Sequence, residues 1–126
     1  KVVFAAPTPI FRVPHFRCSD WFNAGNPDCR HERETPRVEM DALRAPILSA
    51  MTEISRRTGA VTWDPLPALC DATCRPRTAH GRPLFFDGDH LSGHGNLVLL
   101  PAFRGFMCRT ADACDGPPGR HAVGSD

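Results

Sequence analysis

The sequence predicts an α/β fold built on a parallel sheet, and three observations carry that prediction. Val2 to Ala6 is a short β-branched and aromatic run closed by Pro7-Thr8-Pro9. A stretch from Met40 to Ile54 has apolar residues recurring every three and four positions. A second short run, Ala60-Val61-Thr62-Trp63, follows it directly. Strand, helix, strand is the pattern of a crossover unit, and crossovers join parallel strands. The 126 residues have the length of one domain, with 41% hydrophobic and 23% charged residues, an ordinary globular composition.

The first run stops at Pro7 because proline cannot donate to a ladder. From Ile10 to Arg37 the chain carries Pro14, Pro27 and Pro36 and shows no sustained period. A connection of that length is usually functional or tied down, and a Cys18–Cys29 disulfide would shorten it. Met40, Leu43, Ile47, Met51 and Ile54 form the predicted apolar stripe of the helix. Arg56 and Arg57 suit its last turn, and Gly59 is the expected C′ residue. Pro46 marks either a kink or the first turn of its strong part. Pro65 stops the second strand, and a turn-rich connection leads to Leu84-Phe85-Phe86, which reads as a third strand or the end of one. Leu91 to Phe103 predicts a last helix with Ser92 as N-cap and a stripe of Leu97, Leu100 and Phe103, its end unsettled by Pro101. Residues 1–103 thus read as one unit. Residues 104–126 read as a tail with little to bury, apart from a candidate Cys108–Cys114 loop.

Two or three parallel strands with one or two helices leave a sheet whose faces are not both covered, so more sheet is expected upstream. The apolar run that begins directly after Lys1 agrees with an internal fragment; the alternative is a processed or trimmed small protein. The net charge is +1, with 15 basic residues scattered among 14 acids. No electrostatic footprint for nucleic acid or an anionic membrane follows from that. No apolar stretch approaches the roughly 20 residues that cross a bilayer.

Six cysteines fall in three close pairs, Cys18 with Cys29, Cys70 with Cys74, and Cys108 with Cys114. Local pairing suggests disulfides and an oxidising compartment, periplasmic or extracellular, with reduced thiols or metal ligands as the alternative. Cys70-x3-Cys74 followed by His90-x3-His94 is close to Cys2His2 zinc spacing. The residues between do not give a ββα pattern, however, and disulfides account for the cysteines more simply.

The densest cluster of chemistry is "LFFDGDHLSGHG", residues 84–95. An Asp87 carboxylate three residues ahead of His90 can accept from the Nδ1–H of its ring, fix the tautomer and leave Nε2 as a general base toward a hydroxyl nucleophile. Asp-x-x-His alone is a weak motif. Asp89 reads as a turn acid, and His94 as an exposed helix residue. His15, His31, His80 and His121 read as loop histidines, Trp63 as core, and Trp21 as cover for a disulfide. A His-Asn nuclease reading of Asp89-His90 with Asn96 fails on spacing and on the missing basic patch.

The order of these features, with "DPLPALC…C" at 64–74 and "DGDHLS" at 87–92, resembles the C-terminal half of an SGNH-type hydrolase domain. The closest variety is the one fused behind integral-membrane acyltransferases that O-acylate bacterial surface polysaccharides. The likeness spans roughly Val2 to Phe103. It implies a flavodoxin-like three-layer α/β/α sandwich facing the periplasm. It also implies His90 and Asp87 as base and acid of a Ser-His-Asp triad, a Cys70–Cys74 disulfide and, less directly, a Cys18–Cys29 loop bridge. No cofactor is implied. The partners would be an acyl donor, a carbohydrate acceptor, the upstream part of the same domain and a fused membrane acyltransferase. The family's Gly-Asp-Ser nucleophile block and its Gly and Gly-x-Asn-Asp oxyanion blocks do not occur in this sequence. Catalysis is therefore expected to need a serine outside it. The opposing reading is a non-catalytic binding module stapled by disulfides or zinc.

Overall fold

The computed structural model describes residues 1–23, 25–27, 29 and 34–111. Strand β1 (Val3–Ala5) is followed by a long loop with short 3-10 turns at Arg17–Ser19 and Trp21–Asn23. Then come β2 (Thr35–Pro36), helix α1 (Arg37–Thr58), β3 (Val61–Trp63), the single turn α2 (Leu66–Leu69), β4 (Thr73–Cys74) and helix α3 (Gly93–Ala111).

β1 and β3 pair in parallel, Val3 opposite Val61 and Ala5 opposite Trp63. The predicted crossover unit is present, with α1 inside it. Leu84-Phe85-Phe86 does not join this sheet. Phe85 makes an isolated antiparallel bridge to Leu91 and Arg77 another to Pro83, so this segment is a folded loop rather than a third parallel strand. A separate two-residue ladder joins β2 and β4 in antiparallel fashion. The result is a mixed α/β chain with two small sheets.

Helix α1 starts after Pro36 and runs through Pro46. Proline lacks the N–H that would bond to Ala42, and both residues lie on the exposed side, where the freed carbonyl is open to solvent. Gly59 ends the helix at φ 72°, the left-handed conformation that glycine adopts without a Cβ penalty. The predicted stripe is displaced. Met40 is buried, but Leu43 is 66% exposed and Ile47 and Ile54 are near half exposed. The face turned inward is Met40, Arg44, Leu48, Met51 and Ser55.

Arg44 takes an inward position because Asp64 meets it. Its side chain is 4% exposed and Nη2 pairs with Asp64 Oδ1, while Asp41 Oδ1 lies 3.6 Å from Nη1. The same Asp64 oxygen accepts the Leu66 N–H at 3.0 Å, which starts α2. Among the described residues Nε and Nη1 have no hydrogen-bond acceptor, so the pair locks α1 to the end of β3 at some desolvation cost.

Both described disulfides form as expected, Cys18–Cys29 with Cα atoms 5.3 Å apart and Cys70–Cys74 with Cα atoms 4.4 Å apart. Cys114 lies outside the described residues. The second bridge closes the turn between α2 and β4, where Arg37 donates from its backbone N–H to the Ala72 carbonyl and from Nη1 to the Cys70 carbonyl. Trp21 does not cover the first bridge; it is 87% exposed and its ring meets Phe22.

The core consists of Phe11, Met40, Leu66, Leu69, Cys70, Cys74, Leu84, Phe85 and Leu99, with Trp63 and Leu91 against it. Trp63 packs on Phe103 at 4.8 Å between ring centroids, as a core residue should. Helix α3 carries on past Phe103, through Pro101, to Ala111. Its inward residues are Gly95 and Leu99, whereas Leu97 and Leu100 of the predicted stripe are exposed. No helix of the described residues is long and apolar enough to cross a membrane.

Arg44→Ala is expected to destabilise the fold by roughly 1–3 kcal/mol, less than for a fully buried pair because Asp64 keeps solvent contact. Chemical denaturation of the two proteins measures the difference.

Candidate functional site

The site is a five-residue turn held by its two flanks. Leu84, Phe85 and Ser92 are buried. The Ser92 N–H donates to the Leu84 carbonyl at 2.9 Å and the Phe86 N–H to the His90 carbonyl at 2.7 Å. Residues 86–90 consequently project from the core. Ser92 then caps α3: its Oγ accepts the Gly95 N–H at 2.9 Å and donates to the Pro83 carbonyl at 2.7 Å. That hydroxyl is committed to structure.

The loop after β1 ties the turn from outside. The Phe11 N–H donates to the Gly88 carbonyl at 2.6 Å, and Thr8 Oγ1 donates to the Asp89 carbonyl at 3.1 Å. The approach is close enough that a Cβ on Gly88 would collide with the Phe11 carbonyl oxygen. Phe16 packs on Phe86 beside it at 5.3 Å between ring centroids.

Within the turn, Asp87 Oδ1 accepts two backbone N–H groups, from Asp89 at 3.1 Å and from His90 at 2.8 Å. This is the aspartate turn in which a side chain stands in for a backbone acceptor. Its carboxylate is thereby fixed against the ring of His90, with Nδ1 2.9 Å from Oδ2 and 3.1 Å from Oδ1. An ionised carboxylate only accepts, so the ring proton belongs on Nδ1 and Nε2 is left as the basic nitrogen. The His90 side chain is 76% exposed and that of Asp87 41%. The imidazole is thus presented to solvent while its orienting partner is anchored.

These contacts set the charges. Asp87 is held well below the usual carboxylate range, first by the His90 backbone N–H, then by the Asp89 N–H, with the His90 ring adding to both. His90 is raised above its ordinary 6.5, first by its hydrogen bond to Asp87, then by the charges of Asp87 and Asp89.

Asp89 is the group that the sequence pattern missed. Its Oδ1 lies 3.1 Å from His90 Nδ1, so the turn acid also faces the imidazole. Asp87, Asp89 and His90 are the one group of metal-ligating side chains among the described residues, with donor atoms within 4.8 Å of one another. His90 Nδ1 lies 2.9 Å from Asp87 Oδ2 and 3.1 Å from Asp89 Oδ1, and this ion pairing accounts for the convergence. The zinc reading is corrected. Cys70 and Cys74 are bonded to each other, which removes half of the proposed Cys2His2 donors. His94 stands half-buried in the first turn of α3, and Asn96 Nδ2 donates to the Ser92 carbonyl. His15 is a loop histidine as read, but it is buried at 1% exposure, edge-on to Phe11. His31 and His121 lie outside the described residues.

A family model described as "SGNH domain (fused to AT3 domains)" matches residues 1–105. The chain belongs to the SGNH domain family. Within it, the matching variety is the one fused to AT3 domains, an association that gives the chain an acyltransferase- or esterase-related role. No curated protein and no solved structure matches the chain.

Two outcomes are expected. Gly88→Ala should lower stability by roughly 1–3 kcal/mol, because the Cβ must push back the Phe11 carbonyl, whose residue is tied to Gly88 through its own N–H; the shift of the denaturation midpoint checks this. The second concerns pH. Asp87, depressed on folding, contributes stability that is present above its ordinary 3.8 and lost as pH falls toward its folded value. His90, raised on folding, contributes stability that is present below 6.5 and lost as pH rises through its folded value. Thermal midpoints across pH should therefore show the pair's contribution at its largest between those two ordinary values, and Asp87→Asn should flatten that profile.

Proposed function

We propose that the chain is the C-terminal part of a periplasmic or extracellular SGNH domain that handles acyl esters of cell-surface polysaccharide. In this reading it supplies the Asp-His part of a Ser-His-Asp triad, and the serine lies outside this sequence. The observation that carries the proposal is the Asp87–His90 pair, with Nδ1 2.9 Å from Oδ2 and the ring open to solvent.

The chemistry of this reading is that of a Ser-His-Asp triad. Nε2 of His90 takes the proton from the serine hydroxyl as its oxygen attacks the acyl carbonyl, and Asp87 stabilises the imidazolium that forms. The proton then passes to the departing alkoxide, leaving an acyl-serine. A sugar hydroxyl or water, deprotonated at the same nitrogen, takes the acyl group and frees the serine. No cofactor enters this sequence.

The exposed apolar side of α1, with Leu43 at 66% and Ile47 at 49%, supports completion of the domain by further sheet and helix. In the proposed arrangement β1 and β3 belong to the larger sheet of a flavodoxin-like three-layer sandwich. The two disulfides support an oxidising compartment.

The test is a longer polypeptide that carries a Gly-Asp-Ser block, assayed with acetyl esters. His90→Ala should reduce kcat by roughly 10²–10⁴-fold, the usual contribution of a general base, with little change in KM. The 126-residue chain alone should stay at the background rate. An unimpaired His90→Ala variant, or ordinary esterase turnover by the chain alone, would overturn the proposal.

A further inference from the structure

We propose that Asp89 is a second acidic positioning residue for His90, so that the imidazole is held between two carboxylates rather than by Asp87 alone. The inference rests on the reading of His90 as general base. It assigns a role to a residue that the Asp-x-x-His spacing leaves out.

The geometry makes the case. Asp89 Oδ1 is 3.1 Å from His90 Nδ1, the same separation as Asp87 Oδ1 and close to the 2.9 Å of Asp87 Oδ2. Asp87 Oδ1 already accepts two backbone N–H groups, which use its lone pairs. Asp87 Oδ2 is the nearest acceptor of the ring N–H, and Asp89 Oδ1 stands at ion-pair distance from the same nitrogen.

Side chains of adjacent residues ordinarily point apart, so the approach of Asp89 to the ring of the next residue needs a cause. The turn provides it. Asp87 Oδ1 draws in the N–H groups of both Asp89 and His90, Phe11 holds the Gly88 carbonyl, and Thr8 Oγ1 holds the carbonyl of Asp89 itself. The peptide groups on both sides of Asp89 are thus fixed, and its carboxylate returns over the turn toward Nδ1. Asp87 and Asp89 are the acids paired with His90 among the described residues.

Two acceptors do something that one does not. When Nε2 takes a proton, the positive charge on the ring is balanced from two sides. When the bond to Asp87 opens, rotation of the ring toward Asp89 keeps Nδ1–H satisfied and Nε2 basic. The tautomer then survives motion of an exposed loop, a useful property where the imidazole is 76% solvent-accessible. The charge of Asp89 adds to the rise in the His90 pKa in the same sense.

The experiment is an NMR titration of the His90 ring in the whole chain at low salt, assigned with His90→Gln. It compares the wild type with Asp87→Asn, Asp89→Asn, the double variant and Asp89→Glu. Asparagine keeps the shape and the side-chain acceptor oxygen that the turn uses, and the backbone amide spectrum reports folding. Asp89→Ala serves as a second removal of the charge. Asp89→Asn and Asp89→Ala should each lower the His90 pKa, by less than Asp87→Asn does, and the double variant should lie below both single variants. Ring nitrogen shifts should report Nδ1–H in each single variant and a tautomer mixture in the double. Asp89→Glu should restore part of the loss, and Glu53→Gln, a charge change on α1, should alter nothing. An Asp89→Asn curve that superimposes on the wild type, or a double variant no lower than Asp87→Asn, would overturn the proposal. The titration needs neither nucleophile nor substrate, so its failure is distinct from failure of the His90→Ala assay.

Discussion

The burial of Leu84 and Phe85 on one side and of Ser92 on the other, with Leu91 packed against the core, is the constraint on which the site depends. Phe85 is fully buried against Phe11, with ring centroids 5.0 Å apart. Once these flanks are fixed and bridged, the residues between them have no core to enter and must form an outward turn. A turn this tight needs its backbone N–H groups satisfied locally, and Asp87 does so with one oxygen. Its other oxygen is then free for His90. The geometry of the Asp87–His90 pair is therefore a by-product of backbone accounting: the residue that closes the turn is also the one that orients the imidazole. Such a pair needs no long-range contact to form, although Thr8 and Phe11 decide where it sits.

The rest of the chain serves as a frame for that turn. Asp64 links three elements at once, pairing with Arg44 of α1, ending β3 and starting α2. The Cys70–Cys74 bridge fixes the segment that follows, and Arg37 returns to it from the first turn of α1. Bridging Cys18 and Cys29 limits the loop in which Arg77 meets the His15 carbonyl and Ser19 Oγ. Among the described residues the parallel sheet has two short strands, so little of the order there comes from ladder hydrogen bonds. Local knots of charge and sulfur supply it instead, which suits a chain with a small core.

How much of this is legible in the sequence depends on the range of the interaction. Gly59 as the helix stop, Ser92 as the cap, the two cysteine pairs and the Asp87–His90 contact can all be read, because each rests on residues within a few positions of one another or on a known pairing. The inward faces of α1 and α3 are legible only in part, through Met40 and Met51. Counting apolar residues selects Leu43, Ile47, Leu97 and Leu100, while the fold turns Arg44, Gly95 and Leu99 inward. Arg44 defeats the pattern because its partner Asp64 lies in a different element, and Gly95 because its value is close approach rather than hydrophobicity. Asp89 is missed for a third reason. Adjacent side chains are expected to diverge, and only the closed turn brings its carboxylate back to the ring.

Exposure of His90 is the remaining physical point, and it bears on what the turn can do alone. A carboxylate–imidazole pair in contact with water is screened, and its charges influence a reacting atom far less than they would in a dry site. Geometry and tautomer are already in place here, whereas a low-dielectric surrounding is not, since the ring is 76% exposed. The two requirements separate naturally. Local hydrogen bonds set orientation, and in the proposed reaction exclusion of water would come from whatever covers the turn. A second carboxylate gains value in that setting. It is a modest influence while the loop is wet, and it becomes a stronger one when water leaves and the imidazolium must be balanced by the groups that remain around it.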